Sequence, residues 1–174
     1  MKLIGFTFIP LHGQVLTGLA TQWNDDLSQW YVYTDEEDVV GELRLRWPQQ
    51  QDWTQWEFRM GELAGSIRLK WRENPNEWEI RVGNQVATAR TVLNNRFREW
   101  RIFDGTHQFT LLQTYGNSTD EWKIRPNKWG TMDMITTWQN DPRDWEIYDE
   151  LDEAVQFPIK LAIVFIGVVH SIRR

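Results

Sequence analysis

The chain has 174 residues, no cysteine, 12 tryptophans, and 25 acidic against 19 basic residues for a formal charge of -6. That length suits one domain with a sizeable core, residues 1–174. The absence of Cys excludes disulfides and thiolate metal sites, and the acidic balance argues against a general nucleic-acid binder.

The N-terminal run Met1-Lys2-Leu3-Ile4-Gly5-Phe6 has a faint likeness to a signal peptide, but Thr7, Pro10, His12 and Gly13 cut its apolar stretch. It is read as a retained first strand and an early, degenerate hairpin, because Trp23 follows Phe8 by 15 residues through a Gly13 turn. From Trp30 onward a four-residue phrase recurs: Trp30-Tyr-Val-Tyr, Trp56-Glu-Phe-Arg, Trp78-Glu-Ile-Arg, Trp100-Arg-Ile-Phe, Trp122-Lys-Ile-Arg and Trp145-Glu-Ile-Tyr, spaced by 26, 22, 22, 22 and 23 residues. A fixed period of that length marks a repeated supersecondary unit. A second series keeps step with it: Trp23, Trp47, Trp71, Leu93, Tyr115 and Trp138. Each unit is therefore a pair of strands.

Alternation within the strands separates an apolar from a charged face, since successive strand residues point to opposite sides. Trp78, Ile80 and Val82 oppose Glu79 and Arg81; Leu43, Leu45 and Trp47 oppose Arg44 and Arg46; Ile67, Leu69 and Trp71 oppose Arg68, Lys70 and Arg72. On this phase both tryptophan series point inward, as core. Gly83-Asn84, Asp104-Gly105 and Asn127 to Gly130 supply tight turns inside units. Asn74-Pro75-Asn76, Asn94-Asn95, Gly116-Asn117-Ser118 and Asn140-Asp141-Pro142 read as short polar loops between them. The fold class is mainly β: an antiparallel meander of about twelve strands over residues 1–157, closed into a barrel so that its apolar face is buried. About eight strands already suffice for a side-chain-filled interior, so a wider barrel needs another filler.

After Phe157-Pro158 the pattern changes to a segment apolar nearly all round, Ile159 to Ile172, interrupted by Lys160. Such a segment reads as a buried helix over 158–174, central in the barrel, with Pro158 in its first turn and Arg173-Arg174 at its end. Its Ile, Val and Phe content also favours strands, which leaves a terminal strand as the competing reading. It is too short for a membrane span.

This meander and tail resemble the tubby and phospholipid scramblase superfamily, including the LURP-one-related proteins. Scramblases are similar in placing an acid-rich stretch and then Phe-Pro-Ile before the central helix; here Asp149 to Glu153 precede Phe157-Pro158-Ile159. The resemblance implies a non-enzymatic barrel and, from tubby proteins, binding of phosphoinositide by a basic outer surface. With no Pro-rich N-terminal arm, no cysteine for palmitoylation and no external membrane helix, scramblase-type lipid transport is not implied.

The surface signal is charge. Arg44, Arg46, Arg68, Lys70 and Arg72 gather on neighbouring return strands and form the candidate ligand-binding patch for an anionic membrane surface or a phosphoinositide, because Arg offers phosphate a forked donor. Glu57 and Glu79 on the intervening strands offer a simpler account of the same bases as cross-strand ion pairs. His12, His107 and His170 share no metal or triad spacing, and the acids Asp141, Asp144, Asp149, Glu150, Asp152 and Glu153 lack the alternating ligands and central Gly of a dedicated calcium loop. No Gly-rich phosphate loop or nucleophile elbow occurs. The expectation is a cytoplasmic monomer without catalytic residues, cofactor or metal, acting at a membrane surface or as a scaffold for an unknown protein partner. A lipocalin-like carrier of a small apolar ligand is the alternative, and it would show eight strands and an open cup.

Overall fold

The computed structural model describes residues 14–172, in which twelve antiparallel strands close into a barrel around one helix. The strands are β1 (Leu16–Trp23), β2 (Asp26–Thr34), β3 (Val40–Leu45), β4 (Gln55–Met60), β5 (Leu63–Trp71), β6 (Asn74–Val82), β7 (Gln85–Leu93), β8 (Arg96–Phe103), β9 (Gln108–Tyr115), β10 (Ser118–Ile124), β11 (Gly130–Trp138) and β12 (Asp141–Leu151); the helix is α1 (Phe157–Ile172). Every strand pairs with its sequence neighbours, and β1 closes the ring on β12 through Gly18↔Glu146, Leu19↔Trp145 and Ala20↔Asp144. The count of twelve is complete from Leu16 onward. The strand expected at Phe6 and Phe8 lies outside the described residues, as do the ends of the spans 1–157 and 158–174.

The even-numbered strands carry the recurring tryptophans, and Trp30, Trp56, Trp78, Trp100, Trp122 and Trp145 are all buried. Five of the six indole N–H groups donate to the carbonyl three residues earlier: Leu27, Trp53, Phe97, Thr119 and Pro142, at 2.8–3.0 Å. A buried indole needs such a partner. A polar residue four places before the tryptophan shapes the strand start in five repeats. Asp26, Asp52, Asn74, Ser118 and Asp141 accept hydrogen bonds from the backbone N–H two residues on, at Ser28, Thr54, Asn76, Asp120 and Arg143. The segments expected as inter-unit loops are thus strand starts and tight hairpins, in which side-chain oxygens do the turning. In β8 the position holds Arg96, and the device is missing.

α1 fills the barrel. Every residue from Phe157 to Val169 is buried, and 16 helical residues span about 24 Å, close to the roughly 20 Å height of a wall of eight- or nine-residue tilted strands. The helix wins over the competing strand because a single strand would leave its own backbone groups unpaired inside a closed ring, whereas a helix satisfies most of them internally. Phe165 meets Trp56 and Trp78 edge-on at 5.7 and 4.9 Å between centroids, and Phe157 lies 5.4 Å from Phe58. Gly167 lets the helix approach the wall: a Cβ there would come within 2.5 Å of Met134 Sδ.

Lys160 is the polar exception, 2% exposed and inside the barrel. Its Nζ donates to Asp149 Oδ2 and to the Gln14 carbonyl, both at 2.8 Å, while the Leu16 and Leu151 N–H groups donate to the same carboxylate. Asp149, on β12, points inward in phase with Trp145 and Ile147. One buried ion pair therefore fixes the helix to the seam where β1 meets β12.

The second series departs from expectation. Trp23, Trp47, Trp71, Leu93, Tyr115 and Trp138 are 44–66% exposed, not core. The pairing register slips beside Trp23, Trp71, Leu93 and Trp138. At each slip the following strand advances two residues more than the odd-numbered one, as where Leu69↔Trp78 gives way to Trp71↔Asn74, and this irregular pairing at the strand end leaves the side chain exposed. Trp47 lies beyond the end of β3, just before the short 3-10 turn Pro48–Gln50. The two series thus differ in energetic role. Trp100→Ala should cost about 3–5 kcal/mol, whereas Trp71→Ala should stay within about 0.5 kcal/mol. Denaturant melts of the two variants compare them directly, and equal losses would contradict the assignment.

Candidate functional site

The connections after β1, β3, β5, β7, β9 and β11 all lie at one end of the barrel, so the six exposed side chains ring that rim at intervals of two strand spacings, about 10 Å. α1 ends at the same rim, where Ser171 Oγ donates to the Thr119 carbonyl and His170 stacks on Phe97 at 5.2 Å. The opposite end carries the turns after the even strands and the entry to the helix.

The five predicted bases sit together on one side of this end. Arg44 pairs with Glu57 at 3.1 Å and Arg46 approaches the same carboxylate at 3.8 Å. Arg68 pairs with Glu79 at 3.0 Å and Lys70 with Glu77 at 2.9 Å. Arg81 and Arg90 join the last two acids. Arg72 is exposed just past Trp71 and contributes to holding the Asp52 carboxyl below its usual range, behind the hydrogen bonds from Thr54. The cross-strand ion pairs weighed against a ligand site are thus present. They do not exhaust the cations: from β3 to the end of β8, residues 40–103, eleven Lys and Arg stand against eight Asp and Glu. The guanidinium of Arg46 lies 5.2 Å from the Trp47 ring, and the ammonium of Lys70 lies 6.0 Å from the Trp71 ring. Basic patch and aromatic rim are therefore one continuous surface between β3 and β7.

The excess of acid lies elsewhere. Asp133, Asp144, Glu146 and Glu150 belong to β11 and β12, and in the ring of twelve β11 stands six strands from β5. The barrel is charged in opposite senses on its two sides.

The acidic stretch before the helix is structural. Asp149 is buried against Lys160, and Asp152 Oδ1 accepts from the Ala154 N–H to turn the chain into α1. Among the described residues no group of three or more His, Asp or Glu could hold a metal ion, and no helix is long and apolar enough to cross a membrane. His107 bonds through Nδ1 to Asp104 Oδ2 in the β8–β9 turn, at 3.1 Å, and His12 lies outside the described residues. What sequence reasoning missed is the outward rim, although an aromatic residue three places before the strand-starting Asp, Asn or Ser was present as a signal in four of the six repeats, at Trp23, Trp71, Tyr115 and Trp138. Comparison with known proteins gives no match to a family model, a curated protein or a solved structure.

The ion pairs predict a pH dependence. Hydrogen bonds from Arg81 and then Arg68, against an opposing contribution from burial, hold the Glu79 carboxyl below its usual value of 4.5. A carboxyl depressed in the folded state stabilises the fold above its unfolded value, and that contribution is lost as pH falls through the folded one. Melting temperatures should be level from neutral pH down to about 5 and then fall, with a smaller fall in Glu79→Gln. Profiles of wild type and variant that superimpose would contradict this.

Proposed function

We propose that this chain is a non-enzymatic barrel of the tubby and scramblase-like kind that binds anionic membrane surfaces with one arc of its rim, as a monomer in the cytoplasm. The observation that carries the reading is the pairing of exposed Trp47 and Trp71 with Arg46, Lys70 and Arg72 at the end of β3 and β5. Trp is the side chain that settles at the headgroup level of a bilayer, with its ring in the apolar boundary and its N–H in water. Cations beside it meet lipid phosphates at about 1 kcal/mol each near an anionic surface. A plane touches several points of a rim at once. The separation of charge across the barrel turns the acidic side away when the basic arc is down, so the net charge of -6 opposes the contact less than its magnitude suggests.

The outer face of the strands is charged rather than lipid-facing, with Arg44, Glu57, Arg59, Arg68, Lys70, Glu79 and Arg81 in sequence across β3 to β6. A barrel that crosses a membrane needs an apolar outer band. The interior that a carrier would keep open is occupied by α1, which is why the lipocalin-like alternative is less favoured.

Co-sedimentation with phosphatidylserine or phosphoinositide vesicles tests the proposal. Wild type should pellet at low salt and release well above physiological ionic strength. Arg68→Glu/Arg72→Glu should lose most of the binding, and Trp47→Ala/Trp71→Ala should weaken it while leaving its salt dependence. Wild type that stays in the supernatant at low salt, or a charge-reversed variant that binds equally, would overturn the membrane reading in favour of a scaffold.

A further inference from the structure

The repeat that breaks the rule opens a cleft. In five repeats the residue four places before the buried tryptophan is Asp, Asn or Ser, and its oxygen closes the strand start onto its own backbone. At the β7–β8 connection that residue is Arg96, with Arg98 two places on. There the rim recedes into a cleft of about 610 Å³ lined by Leu93, Asn95, Arg96, Phe97, Arg98 and Glu99. That volume lies in the range of small-molecule sites.

Its shape is held from behind. Phe97 rests on the His170 ring, 14° from parallel, and His170 packs 5.0 Å from the buried Trp100, so the apolar floor is backed by the end of α1. The turn beside it is fixed by Asn76 of β6, whose Oδ1 accepts from the Asn95 N–H at 2.6 Å and from Thr91 Oγ1 at 2.9 Å. Asn95 takes the positive φ of 60° that this turn requires. Arg98 also lines the next cleft, with Gln113, Gly116, Asn117 and Thr119. A Cβ on Gly116 would lie 3.4 Å from Arg98 Nη1, so Gly116 leaves space for the guanidinium.

Among the described residues neither Arg96 nor Arg98 is in an ion pair, unlike most of the bases on the β3–β7 face. Glu99, an acid in the cleft lining, lies 3.7 Å from Arg125. Two unpaired guanidinium groups over an apolar floor combine a forked donor set for an anionic head with a surface for a chain. We infer that this cleft binds a single phosphate-headed amphiphile, the phosphate on Arg96 and Arg98 and the alkyl chain along Leu93 and Phe97. The site is separate from the Trp47–Trp71 arc and stands on different residues.

Titration calorimetry of the full chain with dodecyl phosphate below its micelle concentration should show saturable binding at one site. Inorganic phosphate and dodecanol, which supply head or chain alone, should each bind at least about tenfold more weakly, as expected when charge-assisted hydrogen bonds and apolar contact act together. Arg96→Gln/Arg98→Gln should lose at least about tenfold in affinity with an unchanged melting temperature, and Leu93→Ser, at an exposed position, should lose affinity by the separate route of the chain. Dodecanol binding as tightly as dodecyl phosphate, or a double variant binding like wild type, overturns the inference. Vesicles containing phosphatidic acid then identify the source: displacement of bound dodecyl phosphate assigns a bilayer lipid and its persistence a free amphiphile, and either keeps the cleft as the site. Because the amphiphile is monomeric, binding without vesicle association would sink the membrane reading and leave the cleft standing.

Discussion

A ring of twelve strands encloses more space than its own side chains can fill, and α1 closes that deficit. The consequences run through the whole molecule. A helix buried on every side must be apolar on every side, which dictates the composition of Ile159 to Val169. The wall must present large side chains to it at regular intervals, which the six buried tryptophans do. One cation is tolerated in this interior because Asp149 and the Gln14 carbonyl receive it. Removing one partner of such a pair leaves a buried charge unmatched, at about 3–5 kcal/mol, so Lys160 fixes the depth and rotation of the helix as well as contributing to stability.

With the interior filled, recognition is displaced to the outside and to the rim. The repeat supplies that surface at no cost to the core. Its register slips leave Trp23, Trp71, Leu93 and Trp138 exposed while Leu69, Thr91 and Thr136, two places before the last three, keep their inward phase. A repeated architecture makes a ring of equivalent positions, and local differences between repeats then set them apart: cations beside Trp47 and Trp71, acids near Trp23 and Trp138, and a cleft where Arg96 stands in place of an Asp, Asn or Ser.

The meander, its closure and the buried tail were legible because each rests on a periodic signal. The 22-residue spacing of Trp56, Trp78, Trp100 and Trp122 counts strands, and the change from alternating to all-apolar at Pro158 marks the helix. The direction of Trp71 was not legible. Alternation extended from Ile67 and Leu69 sends it inward, and nothing in residues 67–71 announces the register slip that leaves it exposed; the signal lies in Asn74, whose side chain turns the next strand start. Lys160 could be read only as an interruption, since its partner Asp149 was hidden within an acidic run. Of the candidate site, the bases were identifiable from their outward phase, and their ion pairs with Glu57 and Glu79 followed from strand adjacency. The Arg96–Arg98 cleft was not, because an irregularity in one repeat stands out only once the rule kept by the others is known.

The dependence of the barrel on its filler is tested most directly by ending the chain after Phe157 and following its unfolding by near-ultraviolet circular dichroism together with binding of a hydrophobic dye. Loss of α1 removes the contacts of Phe165 with Trp56 and Trp78 and the partner of Asp149. The shortened chain should bind dye strongly, lose its aromatic dichroism and show no cooperative transition. A soluble chain that melts cooperatively near the temperature of the full-length protein would mean that the twelve strands close on their own, and the helix would then be a passenger rather than the core.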